Sequence, residues 1–269
     1  MTHILEKAYN NRAFLNSRHG RTLRMLAEYM EPLTRFRQEN IRDTIVFFGS
    51  ARVCDRETAL QMVKEAGGPA ARQTARQNLA NSAYYEDARE LARLLTQWSA
   101  SLSRRPARFV VCSGGGPGIM EAANRGAAEA GGRSIGLNIS LPTEQVPNAY
   151  ITPSLSFEFH YFFMRKYWFA YLAKALIVFP GGYGTCDELM EILTLVQTGK
   201  FSKKMLVLVY GRKYWDEIFR FDRMQQRGMI TAQDRALFNY ADDPQEAFRL
   251  ITGWLMRHYP PTSPSADVG

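Results

Sequence analysis

Short runs of consecutive apolar residues recur along the chain, separated by stretches in which apolar residues fall three or four apart. Ile45-Val46-Phe47-Phe48, Phe109-Val110-Val111-Cys112, Ser134 to Ile139, Ala175-Leu176-Ile177-Val178-Phe179 and Met205 to Tyr210 have the length and β-branched or aromatic content of buried strands. Helical spacing predicts helices over Arg21 to Gln38 (Leu23, Leu26, Met30, Leu33, Phe36) and about Ser82 to Ser99 (Ala88, Leu91, Leu95, Trp98). Further helices are predicted over Ile119–Ala130, about Phe159–Ala173, from Leu189 to Val196, and over Trp215–Gln226, Thr231–Phe238 and Pro244–Arg257. A polar, Ala-, Arg- and Gln-rich insertion over 55–83 reads as partly helical and broken at Gly67-Gly68-Pro69. Apolar strands alternating with helices specify βαβ units and a parallel sheet with right-handed crossovers. The expected fold is therefore α/β: a doubly wound, Rossmann-like parallel sheet flanked by helices, with an N-terminal helical extension. Three segments are expected: a helical arm over 1–42, a nucleotide-binding domain over 43–258, and a disordered tail over 259–269.

Ligands of such sheets sit at the carboxyl ends of the strands. Here three strand ends carry glycine: Gly49-Ser50-Ala51-Arg52, Ser113-Gly114-Gly115-Gly116-Pro117-Gly118 and Pro180-Gly181-Gly182-Tyr183-Gly184-Thr185. The last runs from a buried strand into a helix, so its free N–H groups and the helix dipole favour an anion, phosphate above all. A plainer reading makes Thr185 and Glu188 a capping box on a tight turn.

Composition narrows the classes. The 269 residues are 46% hydrophobic and 22% charged, which is ordinary for a globular chain. The net charge of +8 suits anionic ligands, and half of it lies in residues 1–42, with eight Lys/Arg against four Glu. Arginines scattered among leucines there describe an interface helix better than a nucleic-acid arm. Cys54, Cys112 and Cys186 form no CxxC pair and His3, His19, His160 and His258 no ligand spacing, so neither a disulfide framework nor a metal site is expected. No signal peptide or membrane-spanning run is visible, and the expected setting is cytoplasmic, with no membrane partner.

The three glycine loops, with Phe47-Phe48-Gly49-Ser50-Ala51-Arg52, Ser113 to Asn124 and Pro180-Gly181-Gly182-Tyr183-Gly184-Thr185…Glu188 in order and preceded by Arg165-Lys166, resemble the LOG ("lonely guy") family. The resemblance runs from about Thr44 to Phe219, and the extra segments are similar to the longer bacterial subgroup. It implies a nucleoside 5′-monophosphate phosphoribohydrolase, long mislabelled lysine decarboxylase, that releases free base and ribose 5-phosphate from AMP or N6-modified AMP. It implies Arg165 and Glu188 as the catalytic pair, the Gly181, Gly182, Tyr183, Gly184 and Thr185 loop as the phosphate seat, no cofactor, and a homodimer or larger homo-oligomer. Lys166, Gly49, Ser50, Gly114, Gly115 and Gly116 are further substrate-binding candidates.

Glycosidic cleavage through an oxocarbenium-like state needs a carboxylate near C1′ and an anchored phosphate, which Glu188 and the loop supply. A guanidinium suits the oxyanion role given to Arg165. Asp187, Glu144 and Glu121 are secondary acid candidates, the last two equally well surface or first-turn acids. The dense aromatics from Tyr161 to Phe169 read as core and interface, with one free to stack on a purine. Two other functions compete. One is a non-catalytic nucleotide or molybdenum-cofactor carrier of the same fold, which has no need of the Arg165–Glu188 pair. The other is a pyridoxal phosphate decarboxylase, for which no lysine is well placed.

Overall fold

The computed structural model describes residues 6–102, 107–141, 146–201 and 203–260. The arm contains α1 (Arg12–Asn16) and α2 (Arg21–Gln38), ahead of β1 (Thr44–Phe48). Next come α3 (Arg56–Glu65), α4 (Gly68–Leu102), β2 (Val110–Ser113), α5 (Ile119–Glu129), β3 (Ser134–Ile139) and β4 (Ser156–Phe159). The glycine-rich half follows: α6 (Phe162–Leu172), β5 (Ala173–Val178), α7 (Tyr183–Gln197), β6 (Leu206–Tyr210) and α8 (Arg212–Ile218). Helices α9 (Phe221–Gln226) and α10 (Ala232–Arg235), β7 (Asn239–Ala241) and α11 (Pro244–His258) complete the order.

Seven strands form one sheet in the order β4-β3-β2-β1-β5-β6-β7, every pairing parallel. The five apolar runs are its middle strands, buried on both faces, as a sheet covered by helices on each side requires. Two strands go beyond the five expected. Ser156-Phe157-Glu158-Phe159 alternates outward and inward as a half-exposed edge, and its last residue is the one the apolar pattern assigned to the following helix. That helix begins only at Phe162. The other, β7, is three residues long and lies in the stretch after Thr231, where the expected helix shrinks to Ala232–Arg235. The insertion is also corrected. Its first half is α3, but its second half joins the next helix to make α4, 35 residues long, with Gly68 at φ +78 marking the break.

The order reverses direction between β1 and β5: the chain winds outward through β2, β3 and β4 on one side and through β6 and β7 on the other. That switch point opens a crevice above the carboxyl ends of β1 and β5. Phe47 pairs with Ile177 and Phe48 with Val178, so the loops Gly49–Arg52 and Pro180–Thr185 emerge side by side. The amide of Ser50 donates to the carbonyl of Pro180 at 3.0 Å, and Ile119 N donates to the Ser50 carbonyl at 3.0 Å. Gly118, at φ +72, leaves no room for a Cβ against that same carbonyl. All three loops are thereby tied together.

The arm docks on the domain rather than extending away from it. Leu33 and Phe36 are buried against β4 and α6, at about 2 kcal/mol of transfer free energy for each such side chain. Leu23, Leu26 and Met30 stay outside. At the opposite, amino end of the sheet lies a buried ion cluster: the Asp43 carboxylate meets Arg108 at 2.9 Å and Lys174 at 3.4 Å. Arg108 also donates to the Pro260 carbonyl at 3.1 Å, and Tyr259 donates its hydroxyl to Lys204 O at 2.6 Å, so the chain is anchored through Pro260. The remainder of the expected tail, from 261 on, lies outside the described residues. Among the described residues no helix is long and apolar enough to cross a membrane.

Candidate active site

A cleft of about 750 Å3 occupies the switch point. The β1 loop (Gly49, Ser50, Ala51, Arg52) and the β5 loop (Pro180 to Cys186) form its floor, with Arg165 and Glu188 on its wall. Helix α7 starts at Tyr183 with Gly182 as its N-cap, and the first helical bond runs from Cys186 N to Gly182 O at 3.0 Å. The amides of Tyr183, Gly184 and Thr185 thus come before the first helical donor, Cys186 N, and have no helical acceptor, and their residues border the cleft. This corrects the capping-box reading. Thr185 is a first-turn residue, not the cap, and Glu188 lies in the second turn with no bond back to the loop. Thr185 is instead buried against Gly181, where a Cβ would collide with its hydroxyl. Tyr183 itself is 97% exposed at the rim. The hydroxyl of Tyr214, from α8, donates to Gly181 O at 2.8 Å and braces the loop from behind.

Arg165 reaches the cleft from the first turn of α6. Its Nε donates to the Leu137 carbonyl at 2.8 Å and its guanidinium lies 5.0 Å from the Phe169 ring, which fixes its direction. Burial pulls its pKa below the ordinary arginine value, opposed mainly by Glu188, yet a guanidinium stays charged at any working pH. Glu188 keeps part of its surface open to the cleft while protein packs closely around the rest. That burial raises its pKa from 4.5 to about 7 against the pull of Arg165 and, more weakly, Lys166, with Asp187 and Glu191 adding to the rise. A carboxylic acid poised near neutrality beside a fixed cation is a pattern of proton-transfer sites. Glu188 also borders a smaller cavity of about 290 Å3 with apolar walls that include Phe48, Phe163, Phe169, Leu195 and Phe201.

The remaining candidates divide. Gly49 and Ser50 line the cleft, although Ser50 already uses its amide, carbonyl and hydroxyl within the loops. Gly114, Gly115 and Gly116 lie buried behind it: the Gly115 amide donates to Ser113 Oγ, and the carbonyls of Gly115 and Gly116 accept from Asn148 Nδ2 at 3.0 Å. Gly114 lies under Arg165, since a Cβ there would stand 2.5 Å from its Nη2 and 2.7 Å from Met120 Sδ. Gly114→Ala is accordingly expected to leave the fold within about 1 kcal/mol of wild type, because a side-chain tip can give way, and to displace the guanidinium. Steady-state kinetics should then show at least a tenfold loss in kcat/KM with a nearly unchanged melting temperature.

Lys166 points away from the cleft, gripped by Asp187 at 2.7 Å and Glu191 at 2.8 Å; Asp187 is thereby occupied too. Glu121 faces the other side of the sheet and accepts from Tyr85 at 2.7 Å. Glu144 lies outside the described residues. Residues that sequence reasoning missed include Tyr214, Asn148 and the cleft-wall residues Asn81 and Tyr84 of α4; each meets its loop from a separate element, and no local spacing signals it.

A pyridoxal phosphate site needs a lysine at the phosphate seat. No lysine lines the cleft. Lys203 has its pKa lowered by burial to about 7, which would suit a Schiff base, but it donates to the carbonyls of Ala170 and Tyr171 at the far end of α6. Lys174 sits in the Asp43 cluster. The residues present do not fit that cofactor.

A family model described as "Possible lysine decarboxylase" matches residues 120–251. Over 88 residues the chain is 36% identical to the probable cytokinin riboside 5′-monophosphate phosphoribohydrolase LOG4 of Oryza sativa subsp. japonica, covering 33% of this chain and 38% of that protein. Over 179 residues it is 25% identical to the cytokinin riboside 5′-monophosphate phosphoribohydrolase LOG2 of Arabidopsis thaliana, covering 65% and 78%. Over these stretches the chain is similar to the LOG phosphoribohydrolases. Its alignments span only 38% of the rice relative and 44% of LOG1 of Arabidopsis thaliana. Among solved structures, the Moco carrier protein from Chlamydomonas reinhardtii overlays 80% of this chain and 99% of its own at 18% identity. The TM-score of 0.46 is too low to carry a functional argument.

Proposed function

We propose that the chain hydrolyses the N-glycosidic bond of a purine nucleoside 5′-monophosphate, AMP or N6-modified AMP, to free base and ribose 5-phosphate. The observation that carries this reading is that Arg165 and Glu188 share one cleft with the open amino end of α7. The amides of Tyr183, Gly184 and Thr185 hold the phosphate, and that anchoring brings C1′ to Glu188, one turn further along the helix. As the C1′–N bond breaks, its electron pair leaves with the base, which takes up a proton. The carboxylate of Glu188 stabilises the cation forming at C1′ and accepts the proton of the water that adds there. Arg165 contributes a fixed positive charge to the ligand's oxyanion side and holds Glu188 toward its ionised form.

The curated relatives named as cytokinin riboside monophosphate phosphoribohydrolases support this reaction class. The apolar cavity on the far side of Glu188 supports including bases with an apolar N6 substituent. Exposed Phe162, Phe163 and Tyr167 on α6 support a homodimer as the working assembly. The test is to incubate the protein with a panel of nucleoside monophosphates and follow free base by chromatography. Release is expected from AMP or its N6-modified forms, and Arg165→Ala should weaken both binding and turnover. No release from any member at high enzyme would remove the hydrolase reading and leave a binding protein.

A further inference from the structure

Helix α6 carries Arg165 but brings no cap of its own: Tyr161 at its N-cap makes no side-chain cap bond, and its first turn contains no acid. The missing acceptor comes from the arm. The Glu28 carboxylate of α2 accepts from His160 N at 2.8 Å with one oxygen and from Tyr161 N at 3.2 Å with the other. About two turns on along α6, Trp168 donates its Nε1–H to the backbone carbonyl of Glu28 at 2.9 Å. The same face of α2 sets Tyr29 against the rings of Tyr167 and Trp168, and Arg35 donates to Ser156 O at 2.8 Å. Arg165 N bonds to Tyr161 O, so the residue that Glu28 fixes is the one from which the Arg165 turn is hung.

We propose that Glu28 is a positioning residue for Arg165, and that the N-terminal arm is in this way a working part of the cleft wall. A carboxylate on the amide of the N-cap residue satisfies a donor that has no helical acceptor, its second oxygen fixes the residue before the cap, and its charge opposes the positive end of the dipole. Without it the first turn of α6 frays, and Arg165 has only Leu137 O and the Phe169 ring to hold it. Met164 N and Arg165 N both depend on the Tyr161 carbonyl, so loosening that residue loosens both.

This inference rests on the reading of Arg165 and Glu188 as a pair, and its test also has a readout free of turnover. The groups acting on the Glu188 carboxyl are Arg165 and Lys166, which favour its charged form, and Asp187 and Glu191, which oppose it. In the full-length chain, Glu28→Ala is expected to lower kcat/KM for AMP at least tenfold and to move the rising limb of the pH–rate profile to higher pH. Glu28→Gln, which keeps one acceptor, should recover most of both. Arg35→Ala, which removes a different arm contact, should lower the melting temperature without moving the limb. The 13C carboxyl signal of Glu188, assigned by its loss in Glu188→Gln, should titrate at higher pH in Glu28→Ala than in wild type without any nucleotide. That shift would support the inference even if no nucleotide is cleaved. An unchanged titration in folded Glu28→Ala, or, should the alanine variant not fold, in Glu28→Met, which keeps the side-chain bulk without an oxygen acceptor, would overturn it.

Discussion

Glu188→Gln is expected to release base from AMP about 10²- to 10⁴-fold more slowly than wild type, the range over which a positioned acid or base acts, while binding AMP with an affinity within a few-fold. The separation follows from the geometry. On the proposed reading, phosphate sits on the amides at the start of α7, which the substitution does not touch, whereas the carboxylate acts only where C1′ becomes cationic. Calorimetric titration with AMP alongside chromatographic release of the base measures the two quantities. Undiminished release would show that a different carboxylate does the work. Asp187 is the nearest in sequence, and it is tied to Lys166 outside the cleft.

The second large effect concerns stability. The folded chain raises the Glu188 pKa from 4.5 to about 7, so it favours the protonated form. The stabilisation this gives is fully present below pH 4.5 and is lost as pH rises through about 7, where the native protein must bury a charge. The span between the two values corresponds to roughly 3 kcal/mol as an upper figure. Glu188→Gln removes the buried charge at neutral and alkaline pH. The variant should therefore melt several degrees above wild type at pH 8, at roughly 2–4 °C per kcal/mol for a chain near this size. At pH 4.5 the two should nearly coincide. Equal melting temperatures at both pH values would show that Glu188 does not carry a raised pKa in solution. For the proposed hydrolase the same ionisation is expected to set the rising limb of the rate profile, with activity gained as pH passes through about 7.

The central strands were legible because a strand buried on both faces has to be apolar throughout, and Ile45–Phe48 and Ala175–Phe179 are. Edge strands carry no such demand. Ser156–Phe159 keeps two polar positions outward, and Asn239–Ala241 is too short to show a period. The floor of the cleft was legible for a related reason. Gly181 and Gly118 stand where a Cβ would strike Thr185 or the Ser50 carbonyl, and crowding of that kind shows in sequence as clustered glycine. The seating of Arg165 was not legible, because its supports arrive from far along the chain: Leu137 on β3, Gly114 after β2, and Glu28 on the arm. Gly114 to Gly116 are a different case. Their sequence resembles a phosphate loop, and in the fold Ser113 takes up the Gly115 amide while Asn148 takes up the carbonyls of Gly115 and Gly116.

The buried cluster of Asp43, Arg108 and Lys174 lies at the amino ends of the strands, the full length of the sheet away from the cleft. Breaking one partner of such a cluster leaves an uncompensated charge, whereas replacing the set by apolar residues of similar volume is often neutral or stabilising. The two ends of the sheet therefore carry different demands: the candidate cleft occupies the carboxyl end, and charge compensation in the buried cluster governs the other. An engineer seeking a hardier protein has that lower edge to redesign, with Arg165 and Glu188 left as they stand.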